Sequence, residues 1–255
     1  MVAYLGAPIR LDRFLLEPPH GLVEQAHAPR ETLSATVNAD GFGVGWYDDA
    51  GTPAAYRTLL PAWADPNLPP LGRSLTRAVW LANVRSATDP LSNGYANTQP
   101  FHDERLLFLH NGFVSNFGVD LRARLRAWFR PEIEAGIQGT TDSEYVFAAL
   151  RQAVADQPRR PLADHLLWLV QDVLGDNGGE EALLNFIVCD GTRMVALRHA
   201  VGAGCPTLYL RTRDAQWDGH ALASEPLTDE THWEAIPPHY LIECGFDTEP
   251  TIRPL

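Results

Sequence analysis

The feature that most limits the possible fold is a nearly continuous apolar run, Ala182 to Cys189, late in the chain. A strand that is apolar at almost every position is typical of one covered on both faces. Further strand-like runs lie near both ends of the chain: Val2 to Leu5, Gly43 to Tyr47, Ala54 to Leu59, Val79 to Arg85, Leu106 to Leu109, Arg193 to His199, Thr207 to Arg211 and Ala221 to Ser224. Strands grouped in this way favour stacked layers over repeating βαβ units. The pattern therefore predicts a sandwich of sheets with helices outside.

The middle of the chain has helical periodicity instead. Thr141 and Glu144 have capping-box spacing, which predicts the start of a helix. Two apolar stripes at helical spacing predict further helices: Leu121, Leu125, Trp128 and Phe129, then Leu162, Leu166, Leu169, Val170 and Val173. Asp48 to Gly51 predicts a hairpin turn, and the proline-rich residues 61–70 predict an ordered surface loop. Because there is no internal repeat and no long linker, we expect one domain over residues 1–255.

Charge and composition exclude several classes of function. The 255 residues carry 32 acidic and 20 basic side chains, a formal net charge of -12, which disfavours nucleic acid or an anionic membrane as partner. All 20 basic residues are Arg, which excludes chemistry that needs a lysine, such as Schiff bases and Walker-type loops. The three cysteines, Cys189, Cys205 and Cys244, lack Cys-x-x-Cys spacing, so we expect no disulfide framework, no metal and a cytoplasmic location. Neither a leader nor a membrane span is predicted.

Four polar segments stand out, and each has an ordinary structural explanation. Asn38 to Tyr47 reads as a polar turn entering a Gly-rich strand, and its alternating glycines do not have dinucleotide-binding spacing. Arg85 follows an apolar strand, and an ion pair with a surface carboxylate would account for an arginine there. Asn111-Gly112 between apolar runs predicts a hairpin turn. Asp142 fits a helix N-terminus, where a carboxylate is stabilised by the helix dipole.

Together and in this order, the segments resemble the class II glutamine amidotransferases, a family of N-terminal nucleophile hydrolases. The resemblance covers roughly residues 2–227 and includes these motifs: Tyr4-Leu5-Gly6, Ala28-Pro29-Arg30, Val37 to Tyr47, Val84 to Thr88 and Ala223-Ser224-Glu225-Pro226-Leu227. It implies an α+β fold, the four-layer αββα sandwich of that hydrolase type. No cofactor is implied, and the implied partner is a small γ-glutamyl molecule.

The resemblance also implies a mechanism and a set of site residues. Members of the family cleave a γ-carboxamide through a thioester on an N-terminal Cys, whose own α-amino group can act as the base near neutral pH. Asn111 and Gly112 match the oxyanion hole, and Arg85 and Asp142 match the groups that bind the substrate's α-carboxylate and α-ammonium. Thr88 is expected to line the same pocket. The motifs are most similar to the γ-glutamyl amidohydrolases of ergothioneine biosynthesis, which implies release of glutamate from γ-glutamyl-hercynylcysteine sulfoxide.

One departure from the family is the absence of the nucleophile. The chain begins Met1-Val2-Ala3-Tyr4, where the family has Met-Cys-Arg ahead of the first strand. We expect that the start was assigned one internal methionine too late and that the native protein begins Met-Cys-Arg-Met-Val. The chain as written is then expected to be inactive.

Four other hypotheses stay open at this point. Two are enzymatic: a glutaminase subunit that supplies ammonia to a partner, and a relative of the glutathione-degrading amidotransferases. The third is a pseudo-enzyme that binds γ-glutamyl groups without turnover. The fourth, a redox sensor built on the cysteines, has little support, because no neighbour in sequence lowers a thiol pKa. Oligomeric state and the roles of Asp40, Trp46 and Asn83 are not predicted.

Overall fold

The computed structural model describes residues 1–31, 36–86, 94–175 and 180–255. In this part of the chain the strands are β1 (Val2–Arg10), β2 (Phe42–Tyr47), β3 (Pro53–Thr58), β4 (Thr76–Val84), β5 (Phe101–His102), β6 (Leu107–Val114), β7 (Ala182–Cys189), β8 (Arg193–Val201), β9 (Tyr209–Arg211), β10 (Gly219–Ala223), β11 (Glu234–Ala235), β12 (Tyr240–Gly245) and β13 (Thr251–Pro254). The helices are α1 (Leu11–Leu15), α2 (Leu22–His27), α3 (Leu68–Ser74), α4 (Arg122–Trp128), α5 (Pro131–Ala135), α6 (Asp142–Asp156) and α7 (Leu162–Trp168). Wider π-helical turns, Phe117–Leu121 and Leu169–Leu174, precede α4 and follow α7.

The strands form two antiparallel sheets. The first has the order β11-β9-β10-β1-β4-β2-β3 and the second β13-β12-β8-β7-β6-β5. The N-terminal strand β1 lies inside the first sheet, with Val2 opposite Ala223 of β10 on one side and Ala82 of β4 on the other. The start of the chain is therefore held between two strands.

Successive side chains of an inner strand point to opposite faces of its sheet, so they pack in two different layers of the core. In β1, Val2 and Tyr4 pack on the helix side of the first sheet, whereas Ala3 and Leu5 pack between the sheets. In β7, Phe186 packs on the helix side of the second sheet and Ile187 packs between the sheets. Helices α1 and α2 cover the first sheet, and α4, α6 and α7 cover the second. This confirms the predicted αββα sandwich and explains why the β7 sequence is apolar at almost every position.

The hairpin predicted at Asn111-Gly112 is wrong. The chain continues through both residues in β6, which pairs with β7 along its whole length, with Asn111 opposite Asn185 and Gly112 opposite Leu184. Asn-Gly is a turn signal because both residues tolerate positive φ. In this protein Gly112 adopts a positive φ of 152° inside a strand, without forming a turn.

Other local expectations have mixed outcomes. The turn at Asp48 to Gly51 is confirmed, with the Asp48 N–H donating to the Thr52 carbonyl at 2.9 Å. The helix start at Thr141 is also confirmed. The loop predicted over residues 61–70 is wrong at its end, because α3 begins at Leu68 and accommodates its two prolines in its first turn. Within the described ranges, no helix is both long and apolar enough to cross a bilayer.

Candidate functional site

Arg85 directly follows β4 and is fixed by its backbone. Its N–H donates to the Gly41 carbonyl at 2.9 Å, and its carbonyl accepts from the Asp40 N–H at 2.8 Å, so the pairing of β2 and β4 extends past the strand ends. Burial lowers the pKa of the guanidinium, and the nearby carboxylates of Asp40 and Asp142 act in the opposite direction. Asp142 belongs to the helix that covers the other sheet, so the fold brings these charges together from distant parts of the sequence.

Asp142 is the first residue of α6 and has a fixed carboxylate. Its Oδ2 accepts from the Val114 N–H at 2.6 Å, and its Oδ1 accepts from the Ser143 N–H at 2.7 Å. The side chain therefore joins the end of β6 to the start of the helix. The expectation of a carboxylate at a helix N-terminus is confirmed, and the hydrogen bonds also give that carboxylate a defined orientation.

Asn111 and Gly112 lie in β6, close to its end at Val114, with Asn111 half-buried and Gly112 exposed. A Cβ on Gly112 would lie 1.8 Å from the Leu183 carbonyl oxygen. The neighbouring strand is therefore a sufficient physical reason for a glycine at this position, because it excludes any side chain there.

His110 was not singled out from the sequence, although it precedes Asn111. Its buried Nε2–H donates to the Leu183 carbonyl at 2.9 Å, so its Nδ1 accepts from the Ser143 hydroxyl at 2.8 Å. Burial lowers the pKa of His110, and Asp142 opposes that shift. His110 therefore links the strand of Asn111 to the helix start of Asp142. A sequence signal existed in the His-Asn-Gly order, but strand pairing was needed to show that the ring is buried.

A hydrogen-bonded path connects this strand to the start of β1. Asn185, opposite Asn111, donates from Nδ2 to the Thr207 carbonyl at 2.8 Å. The Thr207 hydroxyl donates to the Ser224 carbonyl at 2.9 Å, and the Met1 amino group donates to the Ser224 hydroxyl at 2.9 Å. The beginning of β1 is thus tied through partly buried polar groups to Asn185 of β7, the strand that pairs with the one carrying Asn111.

The Met1 amino group is buried at the edge of this cluster. Burial lowers its pKa to about 5, and the Glu225 carboxylate opposes that shift. In the register of β1 and β4, Val2 lies opposite Ala82, so each step towards the N-terminus moves one residue closer to Arg85. The direction of β1 therefore leads to the same end of the sheet as the predicted substrate residues.

Glu225 is a second residue that the sequence reasoning did not assign to the site. Its carboxylate accepts from His20 Nε2 at 2.9 Å and from the N–H groups of Arg30 and Glu31 at 2.9 and 3.1 Å. Burial raises the pKa of Glu225, but these hydrogen bonds outweigh it and the net shift is downward. Glu225 is therefore an ionised anchor that fixes residues 30 and 31 beside the N-terminus.

The remaining predicted positions have different placements. Thr88 lies outside the described residues. Trp46 packs on Trp80 with ring centroids 6.1 Å apart, on the helix side of the first sheet. Asn83 is buried. In the described part of the chain, no three His, Cys, Asp or Glu side chains are grouped so that they could hold a metal.

Comparisons with known proteins identify the family of this chain. The model of the family "Glutamine amidotransferases class-II" matches residues 25–213. The chain is 31% identical over 254 residues to a γ-glutamyl-hercynylcysteine sulfoxide hydrolase of Mycolicibacterium smegmatis, covering 100% of this chain and 98% of the relative. It is 28% identical to a probable glutamine amidotransferase, DUG3, of Saccharomyces cerevisiae, covering 92% of this chain and 78% of the relative.

Solved structures share the fold. A glutamine aminotransferase class-II domain protein from Silicibacter pomeroyi superimposes with a TM-score of 0.70 at 25% identity, covering 100% of this chain and 98% of that one. The glutamine phosphoribosylpyrophosphate amidotransferase of B. subtilis superimposes with a TM-score of 0.69 at 16% identity, covering 99% of this chain and 48% of that one. The family match spans most of the chain, and this protein belongs to the class II glutamine amidotransferases.

Proposed function

We propose that this protein hydrolyses γ-glutamyl amides and that its substrate is γ-glutamyl-hercynylcysteine sulfoxide, from which it releases glutamate. The observation that carries the proposal is the electrostatic interaction of Arg85 with Asp142, whose carboxylate is bonded to the end of the strand of Asn111. A glutamyl end has an α-carboxylate and an α-ammonium, which require one cation and one anion at a fixed separation. The full-length similarity to the mycobacterial hydrolase supports this choice of substrate. A cytoplasmic location belongs to the same proposal and is supported by the three free thiols.

In the proposed reaction, the Arg85 guanidinium binds the α-carboxylate and Asp142 binds the α-ammonium. A cysteine thiolate attacks the γ-carbonyl carbon, and the oxyanion that forms receives hydrogen bonds from the Asn111 side chain and the Gly112 N–H. The C–N bond then breaks, and the leaving amine takes a proton from the enzyme's α-ammonium. Water attacks the resulting thioester, passes a proton to the α-amine, and glutamate leaves with the thiol restored.

The nucleophile is proposed to be a cysteine two residues before Met1. With the β1 register continued for two more positions, that residue would lie level with Arg85, which supports this choice of nucleophile. The cysteines of the chain are poor substitutes, because burial raises the pKa of Cys189 and of Cys244 to about 12 and also raises that of Cys205. The Met-Cys-Arg extension expected from the sequence supplies this residue.

The test compares the present chain with one that begins Met-Cys-Arg-Met-Val, and with the same extension carrying Ala for Cys. Glutamate release is measured from γ-glutamyl-hercynylcysteine sulfoxide, glutathione and glutamine. We expect turnover only when the cysteine is present, with the first substrate preferred. If the cysteine and alanine forms released glutamate equally, the nucleophile assignment would be wrong. Binding of substrate by all three forms without turnover would instead favour the pseudo-enzyme.

A glutamine-hydrolysing role is the second candidate, favoured by the similarity to the yeast probable glutamine amidotransferase. The same substrate panel separates the two candidates. A higher kcat/KM for glutamine than for the sulfoxide substrate would support the glutaminase subunit, and a preference for glutathione would support the degradative relative. Either result would leave the nucleophile and the γ-glutamyl pocket unchanged.

A further inference from the structure

A separate cavity of about 140 Å³ lies between the edges of the two sheets and is closed by α6. Arg57 of β3, His102 of β5 and Arg151 of α6 line it, together with Gly136 to Gln138 of the loop that precedes α6. Arg85, Asn111 and Asp142 do not line it. A single ordered water needs only about 15 Å³ of such space, so the cavity has room for an ion of several heavy atoms.

Arg57 is the most informative group in this cavity. Its guanidinium lies 4.7 Å from the centre of the Tyr95 ring, and its Nη1 donates to the Thr98 carbonyl at 3.3 Å. Within the described ranges, Arg57 takes part in no ion pair, and its buried Nε donates no hydrogen bond. A guanidinium with a buried, unused N–H is costly unless an acceptor is supplied. The side chain is thus held in place with one N–H donor unused.

The other charged groups of the cavity leave the Arg57 Nε without an acceptor. Arg151 forms an ion pair with Asp103, whose Oδ2 lies 3.3 Å from the Arg151 Nε. Glu144 is the one acid among the described lining residues, and its two oxygens accept from the N–H groups of Gln138 and Gly139 at 2.8 and 2.6 Å. The lone pairs of Glu144 are therefore directed to the backbone loop. Arg57 and Arg151 both interact electrostatically with Glu144, but the oxygens of Glu144 are bonded to the loop, so the cavity keeps an unused donor at Arg57 with His102 beside it.

We propose that this cavity binds a small oxyanion, of phosphate or carboxylate type, at a site distinct from the γ-glutamyl pocket. Guanidinium groups bind such anions through paired N–H donors in a plane, which is the chemistry that Arg57 offers. An anion here would connect β3 to the loop that precedes Asp142, because Gly136 to Gln138 form one wall. The proposal does not depend on the amide hydrolysis, since it concerns binding by the chain itself.

The test measures binding of inorganic phosphate and of acetate to the folded chain by titration calorimetry at constant ionic strength, with chloride as the balancing salt. We expect saturable binding of at least one of the two anions with one site per chain. Arg57→Gln should weaken it at least about tenfold, because a charged hydrogen-bond donor is lost. Ala96→Leu, which fills the cavity without changing any charge, should also weaken it. Arg13→Gln, at an exposed arginine paired with Glu17, is the matched control and should bind as the parent does.

The position of the bound anion is checked in the parent protein, so the result does not depend on a variant that fails to fold. Imidazole NMR signals of His102 should shift on titration, whereas those of the exposed His27 should not. Preference for phosphate or for acetate identifies which anion the site takes. Absence of saturable binding for both anions, or equal affinity in Arg57→Gln, Ala96→Leu and the parent, would overturn the proposal.

Discussion

At the scale of single residues, the candidate site consists of side chains held by backbone groups. Arg85 is fixed by the continued pairing of β2 and β4, and Asp142 by the N–H groups of Val114 and Ser143. The backbone of Arg85 and the carboxylate of Asp142 are therefore positioned before a ligand arrives. Preorganisation of this kind reduces the entropy lost on binding.

The role of Arg85 is tested by Arg85→Lys in the form extended by Met-Cys-Arg. An ammonium keeps the charge but loses the planar pair of N–H donors, so KM should rise about tenfold or more while kcat changes little. Steady-state kinetics measure both quantities, and Arg77→Lys on β4 is the control. An unchanged KM would show that Arg85 does not bind the α-carboxylate.

Asn111→Ala in the same extended form should lower kcat and leave KM nearly unchanged. Loss of one oxyanion donor is worth about 3 kcal/mol, so kcat should fall between about 100-fold and 1,000-fold, with substrate binding nearly unchanged. Single-turnover rates and substrate affinity are measured separately. A rise in KM without a fall in kcat would place Asn111 in binding and remove it from the oxyanion hole.

His110 predicts a pH dependence of stability. Because burial lowers its folded pKa below the ordinary 6.5, the unfolded chain takes up the proton first as the pH falls. His110 therefore lowers the free energy of unfolding as the pH falls below about 6.5, and it contributes no such loss above that value. Urea unfolding at pH 7.5 and 5.5 should show a smaller drop for His110→Gln than for the parent. His27→Gln, at an exposed histidine, should retain the parent's pH dependence, and an equal drop in all three proteins would contradict the assignment.

At the scale of elements, the pairing of β6 with β7 determines where Asn111 and Gly112 lie. Gly112 has a φ of 152°. A Cβ added to it would lie 1.8 Å from the Leu183 carbonyl oxygen. One of the two strands must move if a side chain is added. The proposed oxyanion segment is therefore part of a sheet that leaves no room for a side chain at this glycine.

Gly112→Ala should destabilise the fold by about 2 kcal/mol or more, because backbone strain and a steric clash with the neighbouring strand add. Gly118→Ala is the matched control, since a Cβ there meets no atom within 4 Å and the residue lies in an exposed helical turn. Alanine has the higher helix propensity, so the control should be neutral or slightly stabilised. Thermal and urea unfolding measure both variants, and equal stabilities would contradict the close approach of β7 to Gly112.

At the scale of the whole molecule, the two sheets enclose an apolar interior that contains Cys189 and Cys244. Burial raises the pKa of both thiols to about 12, whereas Cys205 is only half-buried. In native protein at pH 8, a thiol reagent should therefore modify Cys205 first and the other two only at the rate of unfolding. Mass spectrometry of labelled peptides identifies the order, and Cys205→Ser should remove the fast phase. Rapid labelling of Cys189 would show that the sandwich interior is open.

The sequence determined the layered fold and most of the candidate site residues. The apolar run of β7 and the spacing from Thr141 to Glu144 depend on local periodicity and capping, which neighbouring residues decide. The motif resemblance predicts Arg85, Asn111, Gly112 and Asp142 as site residues, and their roles stay predictions. Helices α1 and α2, of five and six residues, escaped prediction because two turns or fewer give no measurable periodicity.

Only the tertiary structure decided how those residues act together. Asn-Gly has the same turn propensity in a hairpin and in a strand, and pairing with β7 selected the strand. His110 and Glu225 gained their importance from hydrogen-bond partners far away in sequence, Leu183 for one and His20 for the other. The unused donor of Arg57 likewise faces a cavity that forms where β3, β5 and α6 meet. Local propensity acts over a few residues, whereas burial, strand register and charge proximity depend on contacts between distant segments, which the folded chain alone brings together.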